Sequence, residues 1–242
     1  TKSLVTELIA RLQIFVLSSQ VSLADACNHF ARFVVHADQV DALLTSLLPN
    51  EPNAVLQTDS VISLQLSQLN DQYRYLFLCL SLEEAKLLWH QFSADLNIAN
   101  FESWRLSDIK AGIPNIYPRT SEQFVLQMSN LDLLDGVSFK KGCYPGQEII
   151  ARMHYLGKLK KRLFLATLET SKCPSPGDEI CTKTASSADG SGMVVDAVVD
   201  DKDICHCLYV AQIKKANGQL LCLLNQPSVD FNSVDLPYSL PA

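Results

Sequence analysis

Phe139-Lys140-Lys141-Gly142-Cys143-Tyr144-Pro145-Gly146-Gln147-Glu148-Ile149-Ile150-Ala151-Arg152-Met153-His154-Tyr155-Leu156-Gly157-Lys158-Leu159-Lys160-Lys161-Arg162 is the stretch across which the chain changes character. Before it, helical periodicity and strand-like runs alternate. After it, only short β-rich runs remain: Leu163–Leu168, Met193–Val199, Cys205–Val210 and Leu220–Leu223. Turn clusters such as Pro174-Ser175-Pro176-Gly177-Asp178 and residues 186–192 separate them, as in a small barrel or sandwich. A boundary between Gly157 and Lys161 follows. Residues 1–158 form a mixed α+β region and residues 159–242 a small C-terminal β-barrel.

Charge is concentrated in the same stretch. From Lys140 to Arg162 seven cations face one acid, Glu148, a local +6 on a chain of net −6, so the remainder carries −12. A run of this kind is either a solvated face or an anion-binding strip on an acidic body. Gly142, Gly146 and Gly157, with Cys143 and Tyr144 among the cations, favour binding, since a merely soluble face needs none of them. Pro145 suits the first position of a helix. Gln147 and Glu148 then fall in its first turn, with Arg152 on the face of Glu148. Backbone N–H groups at such a start can hold a carboxylate or phosphate. Cys143 reads either as a packed small residue or as a thiolate stabilised by the helix start, Lys140 and Lys141.

Working outward, Gln13–Val21 and Phe30–Val35 are rich in β-branched and aromatic residues and read as strands. Asp38–Leu48 reads as a helix, because Val40, Leu43, Leu44, Leu47 and Leu48 share one stripe and Pro49-Asn50 stops it. Val61–Leu66 alternates as a half-buried strand, with Tyr73–Leu80 as its neighbour. Ser81 caps a helix whose Leu82, Ala85, Leu88, Trp89 and Phe92 repeat at three and four. A short helix over Glu102–Ala111 ends at Gly112, and Pro114 forbids its continuation.

With 48% apolar and 19% charged residues, the chain can bury a full core, which excludes a disordered tail or a disulfide-stapled miniprotein. No run approaches the roughly 20 apolar residues of a membrane span, and no membrane partner is expected. Eight scattered cysteines without a C-x-x-C pair read as mostly reduced, in a cytoplasmic setting. Cys205-His206-Cys207 invites a metal reading, but no second pair of ligands has suitable spacing. Strand residues are the better reading, and no metal site is expected.

The octet Lys141-Gly142-Cys143-Tyr144-x-Gly146-Gln147-Glu148, followed by Arg152 and Gly157, closely resembles the signature of the YgfZ family of folate-binding proteins. These are relatives of the aminomethyltransferase, or T-protein, of the glycine cleavage system. Trp104, Ala111-Gly112-x-Pro114, Phe124, Gln127, Asn130-Leu131 and the terminal Leu236-Pro237-Tyr238-Ser239-Leu240 stand in the family's order. The resemblance thus runs from about Leu12 onward. It implies a T-protein-like ring of mixed α/β subdomains followed by the barrel, and a reduced folate, tetrahydrofolate or a one-carbon derivative, as ligand. It also implies a role in iron–sulfur protein biogenesis affecting tRNA modification. On this basis Cys143 is the functional thiol and Trp104 a folate-lining ring, with Gln147, Glu148 and Arg152 at the same site. Lys141, Gly142, Tyr144 and Gly146 shape the motif backbone.

The sequence also departs from the family pattern. The N-terminal part of the family's first domain, with a second folate-lining tryptophan, has no counterpart here. Lys110 replaces the usual glutamate before Ala-Gly, offering donors where an acceptor is expected, and Leu126 replaces a proline. The leading expectation is a non-catalytic folate-binding accessory factor, partnered by iron–sulfur client or assembly proteins, with the basic strip drawing the anionic folate tail. A single cysteine cannot hold a cluster. The alternatives are T-protein-like one-carbon transfer, whose candidate acid would lie in the absent part, and direct tRNA binding through Lys158, Lys160, Lys161 and Arg162. The strip lacks the interleaved aromatics of single-strand platforms, so any tRNA contact is expected to be indirect.

Overall fold

The computed structural model describes residues 2–18, 20–37, 47–69, 72–142, 146–170, 172–185, 187 and 189–241, without the side chains of 67–69. It is mixed α+β, and its residues fall into two compact units, Lys2–Ala99 and Asn100 to the C-terminus.

In the first unit, helix α1 (Val5–Gln13) precedes an antiparallel sheet of β1 (Ala31–Ala37), β2 (Val55–Gln57), β3 (Val61–Leu69) and β4 (Gln72–Cys79), in the order β1-β4-β3-β2. Helix α2 (Leu82–Asp95) follows, its Glu84 N–H donating to the Ser81 hydroxyl at 3.1 Å. That cap satisfies a donor which the first helical turn leaves open. Register places Phe33 and Ser63 on either side of Phe77, so all three share a face. On it Phe33 stacks on Phe77 at 5.0 Å and meets Trp89 edge-on at 5.9 Å. Tyr75, Phe77, Cys79, Ala85 and Leu88 complete this core.

The expectation of a strand over Gln13–Val21 fails. Val5, Leu8, Ile9 and Leu12 recur at helical spacing and form α1, and residues 16–18 and 20–26 carry no regular structure. β-branched residues make a strand only where a neighbour supplies its hydrogen bonds. The helix expected over Asp38–Leu48 lies mostly outside the described residues.

In the second unit, α3 (Phe101–Lys110), a 3-10 turn (Leu126–Ser129) and α4 (Gln147–Tyr155) lead into a seven-stranded sheet that is nearly closed into a barrel. Its strands are β5 (Lys161–Leu168), β6 (Glu179–Thr182), β7 (Gly192–Val199), β8 (Cys205–Gln212), β9 (Leu221–Leu223), β10 (Gln226–Asp230) and β11 (Asn232–Val234). Helix α5 (Ile213–Ala216) sits between β8 and β9. The order is β10-β9-β6-β7-β8-β5-β11, all pairs antiparallel.

Strands β5, β7 and β8 are buried on both faces, which explains their unbroken apolar texture. Cys205, Cys207, Tyr209 and Ala211 face one core; Leu208 and Val210 face a second, under Leu106 and Ile109 of α3. A bulge between Val194 and Asp196 changes the phase of β7. It leaves Asp196, fully buried, to accept from Arg105 Nη2 at 2.5 Å and from the Tyr117 hydroxyl at 2.7 Å. Burial, followed by that hydrogen bond, pushes the Tyr117 phenol up to about 12.

Two cysteines depart from the reduced expectation: Cys173 and Cys205 form a disulfide. Cys27, Cys79, Cys181, Cys207 and Cys222 are free. His206, on the other face of β8 from its cysteine neighbours, lies 2.9 Å from Asp200. Among the described residues no group of three His, Cys, Asp or Glu side chains could hold a metal ion. No described helix is long and apolar enough to cross a membrane.

Two predictions follow from these contacts. Gly112 adopts φ +68, and a Cβ there would lie 2.7 Å from both Leu236 and the Tyr238 hydroxyl. Gly112→Ala should cost about 1–2 kcal/mol from backbone conformation alone, read as a lowered urea midpoint; an unchanged midpoint would contradict this seating of the C-terminal segment. Hydrogen bonds from His206 and the Ile204 N–H hold the Asp200 carboxyl down at about 2. Its ordinary value is about 3.9. The stabilisation is therefore complete above about pH 4 and lost as pH falls toward 2. Asp200→Asn should flatten the fall of melting temperature over that window.

Candidate functional site

The motif helix α4 begins at Gln147, after Gly146 at φ +83. A side chain at Gly146 would be strained there, although the surrounding space is open. The helix thus starts two residues later than the start expected at Pro145, with Gly146 outside it; Glu148 still falls in the first turn and Arg152 one turn on. Pro145, Cys143 and Tyr144 lie outside the described residues. Lys141 and Gly142, just before them, are exposed. Phe139 opens the motif segment by stacking on His154, ring centroids 3.7 Å apart, so the segment leaves from one end of α4 and rejoins the chain at the other.

What holds α4 comes from residues outside the octet. The Gln127 side-chain amide, 1% exposed, donates to the Ile150 carbonyl at 2.7 Å. The Gln127 carbonyl in turn accepts from Arg162 Nη1 at 2.8 Å. Arg162 also forms a two-pronged bond to Asp132, at 2.7 and 3.1 Å. Asn130, in the left-handed conformation at φ 60, donates to the Leu163 carbonyl at 3.0 Å and to the Tyr238 hydroxyl at 3.3 Å. Tyr238 donates to the Gly112 carbonyl at 2.9 Å. Gly112, Gln127, Asn130 and Tyr238, scattered in sequence, are one hydrogen-bonded knot.

This corrects the extent of the basic strip. Arg162 is 6% exposed and ion-paired, so it is unavailable to an anionic ligand or to RNA. Lys140, Lys141, Arg152, Lys158 and Lys160 are exposed, and Lys161 is half-buried on β5. Glu148 is exposed and Gln147 half-buried. Trp104 is half-buried on α3, whose Asn100 cap accepts from the Ser103 N–H at 2.9 Å. Lys110, at the end of α3, is exposed.

Three of the described thiols are poor nucleophiles. Burial raises Cys79, pushes Cys207 far above the ordinary thiol range, and with the neighbouring Cys181 takes Cys222 to about 11. None of these three can supply a thiolate near neutrality. No family model matches the chain.

Sequence reasoning missed Gln127, Asp132, Phe139 and His154 as supports of the site. Gln127 stood among the resemblance residues without a role. Arg162→Ala would leave Asp132 buried beside an empty guanidinium site and should cost about 3–5 kcal/mol in denaturant unfolding. Gln127→Leu should act more locally: amide exchange across α4 should speed up while that of β7 and β8 is unchanged. Equal acceleration in all three would show that Gln127 supports the barrel rather than the motif helix.

Proposed function

We propose that the chain is a folate-binding accessory factor in iron–sulfur protein biogenesis, of the YgfZ type, with Cys143 as its functional thiol. The observation that carries this reading is the setting of the octet's described residues, Lys141, Gly142 and Gly146 to Glu148. Its glycine-led helix start is held by a buried support, while Glu148 and Arg152 remain exposed beside a cationic segment. The donor set suits the anionic glutamate tail of a reduced folate: Arg152, Lys158 and Lys160 offer charge-assisted hydrogen bonds. Trp104 offers an aromatic face for the pteridine ring. Where an acceptor would ordinarily meet that ring, Lys110 provides a donor, so orientation depends on other groups. A T-protein-like ring is the arrangement this reading implies.

The chemistry proposed for Cys143 is redox exchange or transient ligation of sulfur or iron shared with a partner protein, since one thiol does not hold a cluster. The raised thiols of Cys207 and Cys222 support this division of labour. Folate-dependent one-carbon transfer is the weaker reading, because the cysteine motif belongs to the accessory branch of the family. RNA binding through the strip loses a cation with Arg162.

The test is a tetrahydrofolate titration, read by tryptophan fluorescence and calorimetry. Saturable binding, weakened at least tenfold by Trp104→Ala and by Arg152→Glu, is expected. Cys143→Ser should retain that binding and fail to support iron–sulfur enzyme activity in cells. Absence of saturable binding would overturn the ligand, and full support by Cys143→Ser would overturn the thiol.

A further inference from the structure

Helix α4 buries no residue completely, and its outward side is not that of an ordinary solvated helix. Ile149 is 61%, Tyr155 68% and Leu156, just past its end, 85% exposed. At about 100° per residue, Glu148, Ile149, Arg152, Tyr155 and Leu156 fall within an arc of about 120°. The opposite side carries Gln147, Ile150, Ala151 and Met153, all half-buried, and His154 against Phe139. Helix α4 thus has two faces, one seated on the protein and one apolar face turned to solvent. Cations border the outward face: Arg152 lies in its middle, exposed Lys158 and Lys160 follow the helix, and exposed Lys140 and Lys141 come directly after Phe139, which stacks on His154 in the last turn.

We propose that this face docks a partner protein through an acidic segment with apolar side chains at helical spacing. Tyr, Arg and large aliphatic residues in one patch are the composition of interface centres. Charge complementarity selects an acidic partner, because the flanks are cationic while the rest of the chain is strongly acidic and repels it. Glu148, at the first turn and near one edge of the face, disfavours burial in a lipid surface. A lone aromatic, Tyr155, gives no stacking platform for a nucleic-acid strand. The inference deepens the function proposed above: Cys143 lies four residues before the helix in sequence, so a partner on α4 is recruited to the segment that bears the thiol.

The test uses the full chain and a labelled 18-residue peptide of Glu and Leu patterned as an amphipathic helix, with its Lys-for-Glu counterpart as control. Saturable binding of the acidic peptide is expected, with none of the basic one. Leu156→Asp and Ile149→Asp should each weaken it at least tenfold, and raised salt should weaken it further. Both positions are exposed, so melting temperatures should match wild type and exclude misfolding as the cause. No saturable binding, or binding indifferent to both substitutions, overturns the proposal. Tighter, substitution-sensitive binding to phosphatidylserine vesicles overturns it in favour of a membrane. Folate titration and Cys143→Ser are read separately, so this surface and the proposed function fail independently.

Discussion

A buried guanidinium–carboxylate pair, Arg162 with Asp132, is the contact on which the second unit depends. Their side chains are 7% and 12% exposed. Taking two charges out of water is costly, and mutual attraction alone does not reliably offset it. Here the guanidinium also donates to the Gln127 carbonyl, which lowers the residual cost and extends the contact. Because Arg162 belongs to the second position of β5, the pair ties the barrel's opening strand to the turn that carries Gln127. The Gln127 side chain then reaches α4. The motif helix is positioned by a barrel strand through two relays, neither of them in the motif.

A second polar centre works the same way on the other side of α3. The bulge in β7 turns Asp196 out of the barrel's interior phase and under Arg105, with Tyr117 closing the site. Hydrophobic contact of Ile109 and Leu106 alone would let α3 slide along the sheet. A charged hydrogen bond with fixed geometry sets its register. Gly112, just past the end of α3, receives Tyr238 from the C-terminal segment.

Legibility in the sequence followed packing. Strands buried on two faces, such as Leu163–Leu168 and Cys205–Val210, were readable because every position but His206 is apolar or small. The barrel's edge strands were not. Gln226–Asp230 contains Pro227 and lies at the sheet's margin, where a missing N–H is tolerated; Asn232–Val234 is three residues long. The helices of Ser81 and Gly112 were readable from caps, which are local chemistry. Gln13–Val21 misled because β propensity says nothing about whether a partner strand exists. Arg162 misled for a similar reason. In a run of cations it looks exposed, and only Asp132, thirty residues away, makes it internal. The octet pointed to the site, but the long-range contacts that hold the site were beyond it.

The burial of four free cysteines makes the molecule a gauge of its own breathing. Cys79 lies in the first unit's core, while Cys181, Cys207 and Cys222 lie in the barrel. A thiol that is alkylated only when its surroundings open reports the free energy of that opening. Labelling rates at Cys79 and at the barrel thiols therefore measure the two units separately, within one unmodified chain and without denaturant.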